Sequence, residues 1–146
     1  MSNWLTTPGA AQWLPVLNAA EKIQGIPTDL LARQCYEESG FNPEARNPSG
    51  AVGIMQLEPM YFPDAGKNPV NDIATAAAYL AQLHARFTDW QLALAAYDWG
   101  PGAVHHWLSA KEAFSAMPAE TRNYVTQIVA DVPVAGCLCP SEVASA

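Results

Sequence analysis

Ile73, Ala76, Ala77, Leu80, Leu83, His84 and Phe87 recur at the three- and four-residue intervals of a single helix face. Such a stripe gains little stability alone and must pack against other apolar surfaces. The rest of the chain offers matching faces. Trp13, Leu17, Ala20 and Ile23 form one over 10–23. Leu30, Leu31, Cys35 and Glu38 form a second. Leu92, Ala95, Ala96 and Trp99 form a third, and Tyr124, Val125, Ile128 and Val129 a fourth. Strand-like character is confined to a short irregular or β-hairpin segment around 50–58, within a stretch broken by Pro43, Pro48, Pro59 and Pro63. The predicted class is mainly α.

Local signals set the expected boundaries. Pro15 is tolerated near the first turn of the first helix, and Gly25-Ile26-Pro27 ends it. Thr28 or Asp29 is the expected cap of the second helix, Asn71 or Asp72 of the long striped one, and Asp89 of the next. Gly100-Pro101-Gly102 is read as a break, followed by a helix over 103–114. Pro118 opens the last helix. Residues 1–132 read as one domain and 133–146 as a flexible C-terminal tail.

A chain of 146 residues, half of them apolar, buries a core of its own. The net charge of −7 argues against nucleic acid, which needs a basic face. No apolar run approaches membrane-spanning length, so no membrane insertion is expected. Met1-Ser2-Asn3-Trp4-Leu5 has neither a basic n-region nor an apolar h-region, and no classical signal peptide is expected. The three cysteines do not make a disulfide framework. Cys137-Leu138-Cys139 lacks metal-ligand spacing and reads as a tail with idle thiols. His84, His105 and His106 form no ligand set, so neither a metal nor a cofactor is expected.

Glu38 is the candidate for chemistry. It closes an amphipathic stretch, lies three residues after Cys35 and seven after Leu31, and so shares their apolar face. Ser39-Gly40-Phe41-Asn42-Pro43 breaks the helix at once, and Gly53-Ile54-Met55-Gln56 follows. Burial in such surroundings raises a glutamate's pKa and suits it to act as a general acid. Glu37 points about a quarter-turn away and reads as structural or solvated.

These motifs, in this order, resemble the soluble lytic transglycosylases, relatives of goose-type lysozyme. The family's E-S motif is Glu38-Ser39, and its G-L-M-Q motif is Gly53-Ile54-Met55-Gln56. Its N-I-x-x-A-A-x-Y-L helix is Asp72 to Leu80. Its A-Y-N-x-G motif is Ala96-Tyr97-Asp98-Trp99-Gly100, and its E-T-R-x-Y-V motif begins at Glu120 and ends at Val125. The resemblance runs from about residue 26 to 129. It implies a lysozyme-like single domain that cleaves peptidoglycan between N-acetylmuramic acid and N-acetylglucosamine, with Glu38 as acid and then base. The substrate's acetamido group stands in for a second carboxylate.

The resemblance also implies a substrate-binding set of Ser39, Met55, Gln56, Tyr97, Asp98, Glu120 and Tyr124. Most have a second reading. Ser39 positions an acetamido group or bonds the backbone at a helix end. Gln56 donates to a sugar or steadies a turn. Met55 is pocket wall or core. Tyr97 faces a cleft or the core. By periodicity alone Tyr124 is core and Glu120 a first-turn acid. Asp98 departs from the family's asparagine. It cannot donate when ionised, and it either accepts local bonds or activates water, which would shift the outcome to hydrolysis. Asp64 is the other candidate second carboxylate. Of Trp90, Trp99 and Trp107, at least two are expected to pack in the core. The expected partner is the glycan strand and the expected state a monomer. The expected setting is a bacteriophage endolysin or virion enzyme acting on the bacterial wall, with a secretion or conjugation apparatus as rival. A wall-binding protein without activity is the reading from another class.

Overall fold

The computed structural model describes residues 3–136 and residue 138. Cys137 and Cys139 lie outside the described residues. Six α-helices are present among them: α1 (Ala10–Gln24), α2 (Leu30–Ser39), α3 (Pro69–Phe87), α4 (Trp90–Trp99), α5 (Pro101–Ser109) and α6 (Ala119–Asp131). The chain divides into two compact units, Met1–Tyr79 and Leu80–Ala146.

In the first unit α1 packs on α2. Trp13, Leu17 and Ala20 are buried as their spacing predicts, but Ile23 is 80% exposed. The face continues instead through Glu21, eight residues after Trp13 and 2% exposed. Its carboxylate explains how α2 begins. Neither Thr28 nor Asp29 caps that helix with a side chain. Glu21 does so from α1, accepting the Asp29 and Ala32 amides, each at 2.9 Å, and the Asn18 amide at 2.8 Å. An anion at a helix N-terminus meets the orphan N–H groups there and the positive end of the dipole. Burial is the largest influence on Glu21 and raises its pKa, against the lowering effect of those hydrogen bonds.

α3 starts two residues before its expected cap. Asn68 Oδ1 accepts the Val70 and Asn71 amides at 2.9 and 3.1 Å, and Pro69 occupies the first helical position, where its missing N–H costs nothing. Asp72 is thereby released from capping, turned inward and 3% exposed. Between α2 and α3 the chain is held by paired bonds between Val52 and Leu57, N to O at 2.9 and 3.1 Å. These, with a bridge from Arg46 to Val52, form the narrow hairpin-like segment.

In the second unit α4 packs on both α5 and α6. Asp89 caps α4 as predicted, accepting the Leu92 amide at 2.9 Å. Leu92, Ala93, Leu94, Ala95 and Ala96 are all buried. α5 is shorter and earlier than the predicted 103–114. It begins at Pro101 directly after Gly100, whose φ of +104° makes the break that the Gly-Pro-Gly run was expected to make. It ends at Ser109, because Lys111 turns left-handed at φ +53°. Trp107 is fully buried, and its indole N–H donates to the Ala113 carbonyl at 3.0 Å. Trp90 stacks on His84 at 3.8 Å. Gln91 donates to the carbonyls of Val134 and Gly136, and Leu138 is 5% exposed.

Candidate active site

In the first unit, α2 stops at Gly40, whose φ of +62° is left-handed, so Glu38 and Ser39 occupy its last turn. Glu38 is half-buried. Glu37 is tied down by Arg33 at 2.9 Å, and the Arg33 guanidinium lies 5.0 Å from the Tyr36 ring centroid.

Ser39 Oγ donates to the Ile54 carbonyl at 2.6 Å and accepts the Asn42 amide at 3.2 Å. The Cys35 thiol approaches the same carbonyl at 3.5 Å. The E-S motif and the G-I-M-Q motif are thus joined directly. Cys35 is fully buried and its thiol is pushed above its ordinary range, chiefly by burial and also by the negative charge of Glu38. It is an inert thiol held beside the candidate acid.

The G-I-M-Q turn is tightly built. Met55 and Ile54 are fully buried. Gln56 adopts φ +50°, which disfavours any side chain, and its own amide stabilises it by donating to Gly53 O at 2.9 Å and Ala45 O at 3.2 Å. Both donors of Gln56 therefore serve the turn. Gly53 has φ +85°, and a Cβ there would collide with the Asp72 carboxylate. That carboxylate accepts the Gly66 amide at 3.0 Å. Burial raises the Asp72 pKa, and the Gly66 hydrogen bond opposes the rise. Asp64 is 89% exposed and pairs with Lys67 at 3.2 Å.

In the second unit, Tyr97 and Asp98 sit half-buried in the last turns of α4. Asp98 Oδ2 accepts the Thr121 hydroxyl of α6 at 2.9 Å. The A-Y-D-W-G and E-T-R-N-Y-V motifs are therefore linked side chain to side chain. Thr121 is 2% and Tyr124 8% exposed. Glu120 is exposed in the first turn of α6.

The expected set divides between the two units: Glu38, Ser39, Met55 and Gln56 lie in the first, and Tyr97, Asp98, Glu120 and Tyr124 in the second. Sequence reasoning misses the contacts that Thr121, Asp72 and Cys35 make to these motifs. Thr121 carries a signal, since it stands inside the E-T-R motif. Among the described residues no three His, Cys, Asp or Glu side chains converge as metal ligands, and no helix is long and apolar enough to cross a membrane.

The model of the transglycosylase SLT domain family matches residues 15–117. The chain is 34% identical over 129 residues to membrane-bound lytic murein transglycosylase F of Saccharophagus degradans, covering 80% of this chain and 26% of that protein. It is 29% identical over 128 residues to the soluble lytic murein transglycosylase of Escherichia coli K12, covering 72% of this chain and 20% of that protein. The chain thus spans about a quarter or less of these curated relatives. Among solved structures, it resembles an inactive Glu→Gln form of lytic transglycosylase Slt from Pseudomonas aeruginosa. The TM-score is 0.69 at 29% identity, over 84% of this chain and 23% of that one. The mainly helical, lysozyme-like fold expected from the sequence is the fold observed.

Proposed function

This chain belongs to the transglycosylase SLT domain family, and on that premise we propose that it cleaves the β-1,4 bond between N-acetylmuramic acid and N-acetylglucosamine of peptidoglycan by lytic transglycosylation. The observation that carries the reading is the placement of Glu38. It lies half-buried in the last turn of α2, beside a buried thiol and next to the serine that binds the G-I-M-Q turn. The negative end of the α2 dipole lies at that turn and disfavours a carboxylate charge there, which suits a proton donor.

In this reading protonated Glu38 donates to the glycosidic oxygen, and the N-acetylglucosamine side leaves as an alcohol. Positive charge develops at the muramyl C1 and is met by the substrate's own acetamido oxygen. Glu38, now a carboxylate, removes the proton from the muramyl C6 hydroxyl. That oxygen attacks C1 and closes a 1,6-anhydro ring. No water is consumed, and Glu38 ends protonated as it began. The murein transglycosylase names of the relatives support this substrate, and the inactive Glu→Gln form of Slt supports dependence on a single glutamate. Tyr97, Asp98, Glu120 and Tyr124 are assigned to sugar binding by resemblance. The Thr121 hydroxyl gives Asp98 a bonding partner, which supports the reading in which Asp98 accepts local hydrogen bonds.

The test is release of soluble fragments from purified sacculi. Wild type releases them and folded Glu38→Gln does not. Equal release by the variant refutes the assignment of Glu38, and no release by a folded wild type refutes the activity.

A further inference from the structure

We propose that the chain from Pro133 to Gly136, with Leu138, is a strap that closes the far end of the α4–α6 pair and thereby holds the sugar-binding residues of those two helices in register. The link to sugar binding rests on the reading of the site given above. The strap itself rests only on contacts within the second unit.

α4 and α6 pack on each other. Asp98, in the last turn of α4, accepts the hydroxyl of Thr121, in the first turn of α6. The two helices therefore run antiparallel, and the start of α4 lies toward the end of α6. Gln91 stands seven residues before Asp98, about 10 Å along the helix, so the Thr121 bond does not hold that end.

What meets the start of α4 is the chain beyond α6, which ends at Asp131. The Gln91 side-chain amide donates to the Gly136 carbonyl at 3.0 Å and, more weakly, to the Val134 carbonyl at 3.4 Å. These bonds span 45 and 43 residues, so they close α4, α5 and α6 into one ring of chain. Gly136 lies against Asp89. Its φ is +143°, and a Cβ there would come within 2.6 and 2.7 Å of the two Asp89 carboxylate oxygens. Asp89 is also the cap of α4, through the Leu92 amide. The strap thus touches both the cap and the first turn. Leu138, 5% exposed, anchors it by withdrawing an apolar side chain from water.

Helix ends are the parts that open most readily. A pair tied only through Asp98 and Thr121 is free to pivot about that bond, whereas a pair tied at both ends is not. Tyr97 and Asp98 ride on α4, and Glu120 and Tyr124 on α6. A pivot between the helices separates the two halves of that set, and small misplacements of binding groups are costly.

The experiment follows amide hydrogen exchange in the full chain. It compares wild type with Gln91→Leu, which removes the donor, and Gly136→Ala, which adds the colliding Cβ, with folding checked by circular dichroism. Both variants are expected to speed exchange about tenfold or more at the Leu92, Ala93 and Val132 amides, which mark the two helix ends, while the Ala32 amide of the first unit keeps its wild-type rate. On soluble oligomers of alternating N-acetylglucosamine and N-acetylmuramic acid, both are expected to raise KM about threefold or more with kcat within about twofold. Wild-type exchange at the three amides in either variant overturns the strap. So does equal acceleration at Ala32, which marks loosening of the whole fold. Faster exchange with an unchanged KM overturns the link to sugar binding. A folded wild type with no activity on these oligomers sinks the reading of the site and that link with it, whereas the exchange result tests the strap either way.

Discussion

Replacing Gly53 by alanine tests how tightly the G-I-M-Q turn is built, and Gly25 supplies the matched control. Both glycines have positive φ, +85° and +70°. A side chain at such an angle costs roughly 1–2 kcal/mol, and the loss of unfolded-chain entropy returns part of it. At Gly25 a new Cβ meets nothing within 4 Å, so Gly25→Ala is expected to cost about 1 kcal/mol. At Gly53 the Cβ collides with the Asp72 carboxylate and comes within 3.3 Å of the Gly66 Cα. Asp72 is 3% exposed, so its carboxylate cannot swing into water. Moving it disturbs its bond from the Gly66 amide, a charge-assisted bond worth roughly 1.5–3 kcal/mol. Gly53→Ala is therefore expected to cost about 3–4 kcal/mol, roughly 2 more than the control. In urea unfolding that difference is a midpoint about 1 M lower, for a slope of about 2 kcal/mol per molar. Combining Gly53→Ala with Asp72→Ala removes the collision, so the two changes should couple by about 2 kcal/mol. If Gly53→Ala and Gly25→Ala fall within about 0.5 kcal/mol of each other, Asp72 is not what demands glycine here.

Three further outcomes follow from the same contacts. Thr121→Val removes the donor to Asp98 Oδ2 from a buried site and should cost about 1–3 kcal/mol, with Thr121→Ser near wild type in urea unfolding. Glu21→Ala strips the carboxylate from the Asp29 and Ala32 amides at the start of α2 and should cost about 2–4 kcal/mol, read by the same titration. The Glu21 pKa is raised above 4.5 in the folded state, so the folded protein binds the proton more tightly than the unfolded one. Its contribution to stability is therefore fully present below the unfolded value and is lost as pH rises through the folded one. Relative to Glu21→Gln, wild-type stability should rise as pH falls from neutrality through the folded value toward 4.5, and a fall relative to that variant contradicts the sign.

Apolar spacing locates the helices wherever burial is decided by side-chain type. The stripes of α2, α3 and α4 and the cap at Asp89 are legible in this way. Two misreadings, at Ile23 and at the start of α3, share one physical cause, a polar residue taking a role supplied from elsewhere in the fold. Ile23 continues a periodic stripe on paper, yet Glu21 occupies that face because α2 needs an acceptor at its start. Asn71 and Asp72 look like caps, but Asn68-Pro69 begins the helix earlier and frees Asp72 to pack against Gly53. At the candidate site the motifs mark segments that hydrogen bonds join in pairs, while the bonding within them is not legible. Both donors of Gln56 and the hydroxyl proton of Ser39 go to backbone carbonyls, and those partners are set by turn geometry that no local pattern encodes. Asp98 stands out as a departure from the family's asparagine, but its partner, Thr121, lies 23 residues further along the chain.

The most direct test of the central claim is the mass of the muropeptides that wild type and Glu38→Gln release from purified sacculi. The account predicts wild-type products lighter than hydrolytic muropeptides by one water and resistant to borohydride reduction, with none from the folded variant. Reducible products from wild type, or anhydro products from Glu38→Gln at the wild-type rate, contradict it.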